Sequence, residues 1–200
     1  NQLDPHFLFN SLNVLDALIE ENPTQAQKFT NDMSKIYRYV LDQKDKELVT
    51  IQEEIDFAKT YAELLKTRFE DSVSFNFDVP NETLQQYVVP LSLQLLLENA
   101  IKHNYATSKK PLNIKISKPG GFLVIQNNLQ AREVVKERDR IGLSNIVQRY
   151  ALLTKRNLFI EKSEETFSVK IPILTEKKSE IMEKINLTNE ALAYDRAAKR

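Results

Sequence analysis

The sequence predicts an α+β chain, a helical region first and an α/β unit after it. Three observations lead there. Apolar residues recur at helical spacing through the first seventy positions. Period-two alternation begins directly afterwards, at Val73, Phe75, Phe77 and Val79. From that point strand-like segments are interleaved with helix-like ones up to about residue 173.

Each element has its own signal. Asp4 is placed to cap a first helix whose opening turn holds Pro5, the position proline tolerates best. Phe7, Leu8, Leu12, Leu15, Leu18 and Ile19 carry that helix to Asn22-Pro23. A second helix is expected from Thr24 to about Gln43, with Phe29, Met33, Ile36, Tyr37 and Val40 on one stripe. Thr50-Ile51-Gln52-Glu53 is a capping box and announces a third, running towards Phe69. Ser72–Val79 reads as a half-buried strand. Pro90–His103 reads as a helix so rich in leucine that it must be covered on most sides. Strands at Asn113–Ser117 and Phe122–Gln126 flank Pro119-Gly120-Gly121, a hairpin signal. Residues 127–140 are polar and read as irregular. Gly142–Thr154 is expected to be helical, strands follow near Leu158–Glu161 and Phe167–Ile173, and a charged helix is expected from about Glu176.

Composition narrows the function classes. The 28 Lys/Arg residues balance 28 Asp/Glu and are interspersed with them, so the basic footprint of a nucleic-acid or polybasic membrane surface is missing. Cysteine is absent, which excludes disulfides, zinc–thiolate sites and a cysteine nucleophile. No apolar run approaches the roughly 20 residues that span a bilayer. The chain opens at Asn1 inside a dense motif, and so reads as a piece of something longer, with any membrane or sensor region upstream.

That first motif is Gln2-Leu3-Asp4-Pro5-His6-Phe7-Leu8-Phe9-Asn10-Ser11-Leu12-Asn13. A lone histidine in the first turn of an amphipathic helix is ordinarily a surface or cap residue. His6, however, follows the N-cap region, where the helix-end field disfavours added positive charge, and a phosphate acceptor must present an unprotonated ring nitrogen. Asn10 lies at i+4, one turn along on the same face. Taken whole, the segment resembles the phosphoacceptor motif of the LytS/YehU-type family of sensor histidine kinases. The resemblance implies that His6 is phosphorylated from ATP and passes its phosphate to an aspartate of a response regulator.

The second motif is Pro90-Leu91-Ser92-Leu93-Gln94-Leu95-Leu96-Leu97-Glu98-Asn99-Ala100-Ile101-Lys102-His103-Asn104. Most leucine-rich helices are simply core. Here Asn99, Lys102 and His103 stand at i, i+3 and i+4, a polar stripe where the helix should leave the core. Oxygen donors and cations converging there suit a magnesium nucleotide. The string is similar to the N box of the GHKL (Bergerat) ATP-binding fold. By that resemblance Asn99 is the Mg²⁺ ligand, Glu98 the acidic residue associated with activating the nucleophile, and Lys102 and His103 approach the phosphates.

The third region departs from that family. Where GHKL kinases carry Asp-x-Gly after a strand, Asn127-Asn128-Leu129 stands, so Asn127 replaces the aspartate that accepts from the adenine amino group. An amide oxygen still accepts such a bond, without charge assistance. The later glycine box is reduced to Arg140-Ile141-Gly142-Leu143, in which Gly142 and Leu143 hold the nucleotide-binding positions and Gly142 alone gives phosphates close access to backbone amides. The intervening lid, Gln130–Asp139, has no glycine.

The resemblance implies a helical dimerisation and phosphoacceptor region over residues 1–70, a GHKL-type α/β sandwich over 71–175 with a mixed sheet and helices on one face, and a charged tail over 176–200. It implies ATP and Mg²⁺ as cofactors, a homodimer, no direct nucleic-acid contact, and a receiver domain as partner, often in regulators of the LytTR type. It places the chain on the cytoplasmic side of an inner-membrane protein. Asp4 and Glu98 both qualify as the base that serves His6. Two other classes fit the same residues: a non-catalytic dimeric scaffold whose altered adenine box has lost ATP, and a GHKL ATPase with water as acceptor. Tyr37, Tyr39, Phe57, Tyr61 and Phe69 recur at helical spacing and read as interhelix packing. Lys109-Lys110 reads as a solvated loop pair.

Overall fold

A computed structural model describes residues 5–43, 46–130 and 141–174. The expected C-terminal helix, the lid from 131 to 139, Asp4 and Arg140 lie outside these ranges.

Three helices come first: α1 (Pro5–Glu21), α2 (Pro23–Asp42) and α3 (Ile51–Phe69). Asn22 caps α2, its side chain accepting from the Gln25 amide at 3.1 Å, with Pro23 in the first turn. The capping box of α3 is present as expected. Thr50 accepts from the Glu53 amide, and the Glu53 carboxylate accepts from the Thr50 amide at 2.9 Å. The α2 stripe of Phe29, Met33, Ile36 and Val40 is buried. On α1, by contrast, Phe7 and Leu18 are buried while Phe9, Leu12 and Ile19 are 64%, 48% and 57% exposed.

The α/β unit is a five-stranded mixed sheet in the order β2-β4-β5-β7-β6. Its strands are β2 (Val73–Asp78), β4 (Leu112–Ser117), β5 (Phe122–Asn128), β6 (Phe159–Lys162) and β7 (Thr166–Pro172). β2 runs parallel to β4, from Val73 opposite Leu112 to Asp78 opposite Ser117, and the other pairs are antiparallel. The β4–β5 hairpin turns where expected, with Gly120 at φ 58°, a left-handed value that glycine takes without strain. Along β4, Leu112, Ile114 and Ile116 are buried while Asn113 and Lys115 are exposed, so one face of the strand meets the core and the other meets water. Helices α4 (Ser92–His103) and α5 (Ile141–Leu153) complete the unit, α4 lying on β4 and β5 and α5 packing on α4.

Strand β5 runs on through Asn127 and Asn128, which read as irregular in the sequence, and two further features differ at the start of the leucine-rich helix. The leucine-rich helix begins at Ser92 rather than at Pro90. Residues Tyr87–Val88 form a short strand, β3, paired antiparallel with β1 (Val49–Thr50). Leu91 then turns in the left-handed region at φ 63°, an uncommon conformation for a branched side chain. No side chain of α4's own first turn caps it. The cap comes from α3, which packs against both α2 and α4.

Candidate functional site

Glu54 of α3 is wholly buried and supplies that cap. Its Oε1 accepts from the Leu91 amide at 2.7 Å and from the Tyr39 hydroxyl at 2.9 Å, and its Oε2 accepts from the Leu93 amide at 2.9 Å. The two amides on either side of Ser92 are thus both engaged, which holds Leu91 in its strained conformation. Burial pushes the Glu54 carboxyl above its ordinary range. The Leu93 and Leu91 amides, the Tyr39 hydroxyl and the Arg149 charge pull the other way. Arg149 also donates to the Pro90 carbonyl at 3.0 Å, and the buried Tyr150 hydroxyl accepts from the Val89 amide at 3.3 Å. So α3 and α5 clamp the start of α4 between them.

From that anchored start α4 runs outward. Leu93, Gln94, Leu96, Leu97 and Ala100 are buried; Glu98, Asn99 and His103 are half-buried, and Lys102 is exposed. The polar stripe therefore does emerge from the core at the helix end, as its spacing predicts. Asn104 closes the helix. Its Nδ2 donates to the Ala100 carbonyl at 2.8 Å, and its Oδ1 accepts from the Gln130 amide at 2.8 Å. The Tyr105 amide donates to the Gln130 carbonyl at 2.8 Å. These bonds fasten the end of α4 to the segment that follows β5, which carries Asn127.

Asn127 is 3% exposed, and its Nδ2 donates to the Asn128 carbonyl at 2.7 Å. That bond fixes which end of the amide is spent as donor and which remains an acceptor. Asn128 is engaged elsewhere, accepting from the Asn113 amide at 2.7 Å and donating to the Pro111 carbonyl at 3.1 Å. Gly142 and Leu143 lie in the first turn of α5, where Leu143 packs against the core. Among the described residues no group of three or more His, Asp or Glu side chains could hold a metal ion.

On α1, His6 is exposed and Asn10 half-buried. The residue between their turns and the core is Phe7, whose ring stacks on Tyr61 of α3 with centroids 5.0 Å apart. The Tyr61 hydroxyl reaches Glu98 Oε1 at 3.4 Å, and Gln94 Nε2 donates to the same oxygen at 2.9 Å. The helix bearing His6 is thereby joined to Glu98 through one aromatic side chain. Tyr39, Phe57 and Tyr61 do pack between helices as their spacing predicts, with centroids 4.7 Å and 5.9 Å apart. The hydroxyl bonds of Tyr39 to Glu54 and of Tyr61 to Glu98 carried no sequence signal, because the partners lie 15 and 37 residues away. Glu54 was equally silent: inside a capping box, one more acidic residue reads as a first-turn charge.

Comparison with known proteins agrees with the resemblance read from the motifs. Residues 1–73 match the family Histidine kinase. The chain is 30% identical over 152 residues to the sensor histidine kinase BtsS of Escherichia coli K12, covering 74% of this chain and 27% of that protein. It is 30% identical over 116 residues to the sensor histidine kinase/phosphatase LytS of Staphylococcus aureus Mu50, covering 58% of this chain and 20% of that protein. The chain thus spans about a quarter of the length of the curated relatives it matches. Among solved structures, the Acinetobacter baumannii histidine kinase AdeS aligns over 84% of this chain and 98% of that chain, with a TM-score of 0.43 and 14% identity, too distant a likeness to carry an argument.

Proposed function

From its kinship with the LytS-type sensor histidine kinases, we propose that this chain is the kinase portion of a two-component sensor. It transfers the γ-phosphoryl group of ATP to His6 and passes it to an aspartate of a response regulator. The observation that carries the reading is the polar stripe of Glu98, Asn99, Lys102 and His103 where α4 leaves the core, fastened beside Asn127 and joined through Tyr61 to the helix of His6.

The donor set fits a magnesium nucleotide. Mg²⁺ is held in such sites by one or two protein oxygens together with phosphate oxygens and water, not by an all-protein cage. Asn99 is half-buried, and its side-chain amide makes no hydrogen bond among the described residues. Its oxygen would hold the ion, which neutralises phosphate charge when bound. Lys102 and His103 would approach the triphosphate, and the Asn127 amide oxygen would accept from the adenine amino group. At His6 a ring nitrogen bonds to the γ-phosphorus as the bridging oxygen leaves with ADP, and Glu98 is our candidate to take the ring proton. This assignment keeps residues 1–70 as the dimerisation and phosphoacceptor region and 71–175 as a GHKL-type nucleotide domain.

The apolar residues exposed on α1 favour a homodimer. No helix among the described residues is long and apolar enough to cross a membrane. The part acting on the cytoplasmic face would be this one, with the membrane segment elsewhere in a longer protein.

The test is incubation with γ-labelled ATP. Wild type is expected to acquire acid-labile, base-stable phosphate, and His6→Ala and Asn99→Ala to acquire none. Undiminished ATP turnover in His6→Ala would instead identify a hydrolase. Nucleotide binding absent with and without Mg²⁺ would leave a scaffold.

A further inference from the structure

We infer that Tyr61 is a positioning residue, which couples the orientation of the Glu98 carboxylate to the placement of the helix that bears His6. The inference rests on the kinase reading above and deepens it.

Tyr61 stands in a column of four rings drawn from three helices. Phe7 of α1 lies on one side at 5.0 Å, Phe57 of α3 on the other at 5.9 Å, and Tyr39 of α2 stacks beyond Phe57 at 4.7 Å. Tyr61 is 2% exposed. A phenylalanine would fill such a column equally well, so packing alone does not account for a hydroxyl here. A buried tyrosine hydroxyl calls for polar company, and one group it reaches is Glu98 Oε1, at 3.4 Å across the α3–α4 junction.

Gln94, wholly buried one turn earlier on α4, donates to the same oxygen at 2.9 Å. Its pull comes from Glu98's own helix and travels with it. The Tyr61 bond arrives from α3 and so depends on how the helices sit against each other. Oε1 is thus approached from two directions, from its own helix and from α3, so the orientation of the carboxylate depends in part on how α3 and α4 are seated. A bond of 3.4 Å lies at the long end of the useful range, where a shift of a few tenths of an ångström makes or breaks it. Phe7 adjoins His6 in the chain, so a displacement of α1 moves the ring that rests on Tyr61. The contact thus makes proton acceptance at Glu98 responsive to the position of the phosphoacceptor helix.

The experiment measures phosphohistidine formation in a single turnover, across a range of Mg-ATP concentrations, for the 200-residue chain and two variants. Tyr61→Phe keeps the ring and removes the hydroxyl. It is expected to lower the maximal rate about tenfold, the equivalent of one lost hydrogen bond to a charged group, with the half-saturating ATP concentration unchanged and the melting temperature lowered by no more than about 4 °C. Phe7→Ala keeps the hydroxyl and removes its support, and is expected to lower the maximal rate at an unchanged half-saturating ATP concentration, with a lower melting temperature from the lost core packing. A Tyr61→Phe rate equal to wild type overturns the inference while the kinase reading stands. So does a slower rate accompanied by an equal loss of ATP affinity, which marks a structural role. A wild-type chain that forms no phosphohistidine overturns both.

Discussion

The carboxylate of Glu54 and the amide of Leu93 meet at 2.9 Å across the junction of α3 and α4, so that one helix supplies the N-cap of the next. The cap reaches over 39 residues of sequence and buries a carboxyl group completely. Removing it leaves two backbone donors and the Tyr39 hydroxyl without their acceptor. We expect Glu54→Ala to cost about 3 kcal/mol of stability, read as a lower urea midpoint with an unchanged slope. Glu54→Gln should recover only part of this, because its amide nitrogen would face one of the donors. A midpoint equal to wild type in either variant would remove the cap from the account of this junction.

Glu53, the neighbouring residue, gives the pH dependence its sign. Burial works to raise its carboxyl, but the Thr50 amide, the Lys46 ammonium and the Thr50 hydroxyl together hold it below the ordinary carboxylate range. A depressed folded value means that the unfolded chain takes up the proton first as pH falls. The stabilisation is therefore complete above the ordinary value and is lost as pH drops through the folded one. Denaturation of wild type and Glu53→Ala at a series of pH values down to about 3 should show the gap between them closing on acidification. A gap independent of pH would assign Glu53 to packing alone.

The exposed stripe of α1 predicts the oligomeric state. Replacing Leu12 and Ile19 together by aspartate places two charges in each copy of the apolar face. Sedimentation velocity should then show dimer converting to monomer, with dissociation strengthened on the order of a thousandfold and helical content retained. A wild type that sediments as a monomer would overturn the dimer reading, and a variant that sediments as a dimer would remove this face from it.

Asn10, one turn beyond His6, is a candidate to orient water for dephosphorylating the partner regulator. Asn10→Ala is expected to form phosphohistidine at the wild-type rate and to remove phosphate from the regulator about tenfold more slowly or worse. Normal phosphatase activity in that variant would exclude the role.

Local signals in the sequence translated directly into structure. The Thr50 capping box, the hairpin at Gly120 and the alternation of Val73, Phe75 and Phe77 each depend on residues within a few positions of one another. What escaped detection is set by distant partners. Pro90 looks like a helix start, yet the chain around it forms a short strand and a left-handed turn, because Glu54 offers a cap two residues later. The candidate site divides in the same way. The spacing of Asn99, Lys102 and His103 foretold a polar stripe at a helix end. The clasp between Asn104 and Gln130, and the reach of Tyr61 to Glu98, depend on how separate elements dock, and no periodicity encodes that.

The parallel pairing of Val73–Asp78 with Leu112–Ser117 constrains the order of assembly. A hairpin such as β4–β5 zips from its own turn, but a parallel pair needs the intervening chain to cross the sheet before a single rung can close. That crossing chain contains the leucine-rich α4. The edge strand and the helix must therefore settle together, late and over a long loop, so nascent chains that stall before this step would expose greasy helix surface to chaperones and proteases.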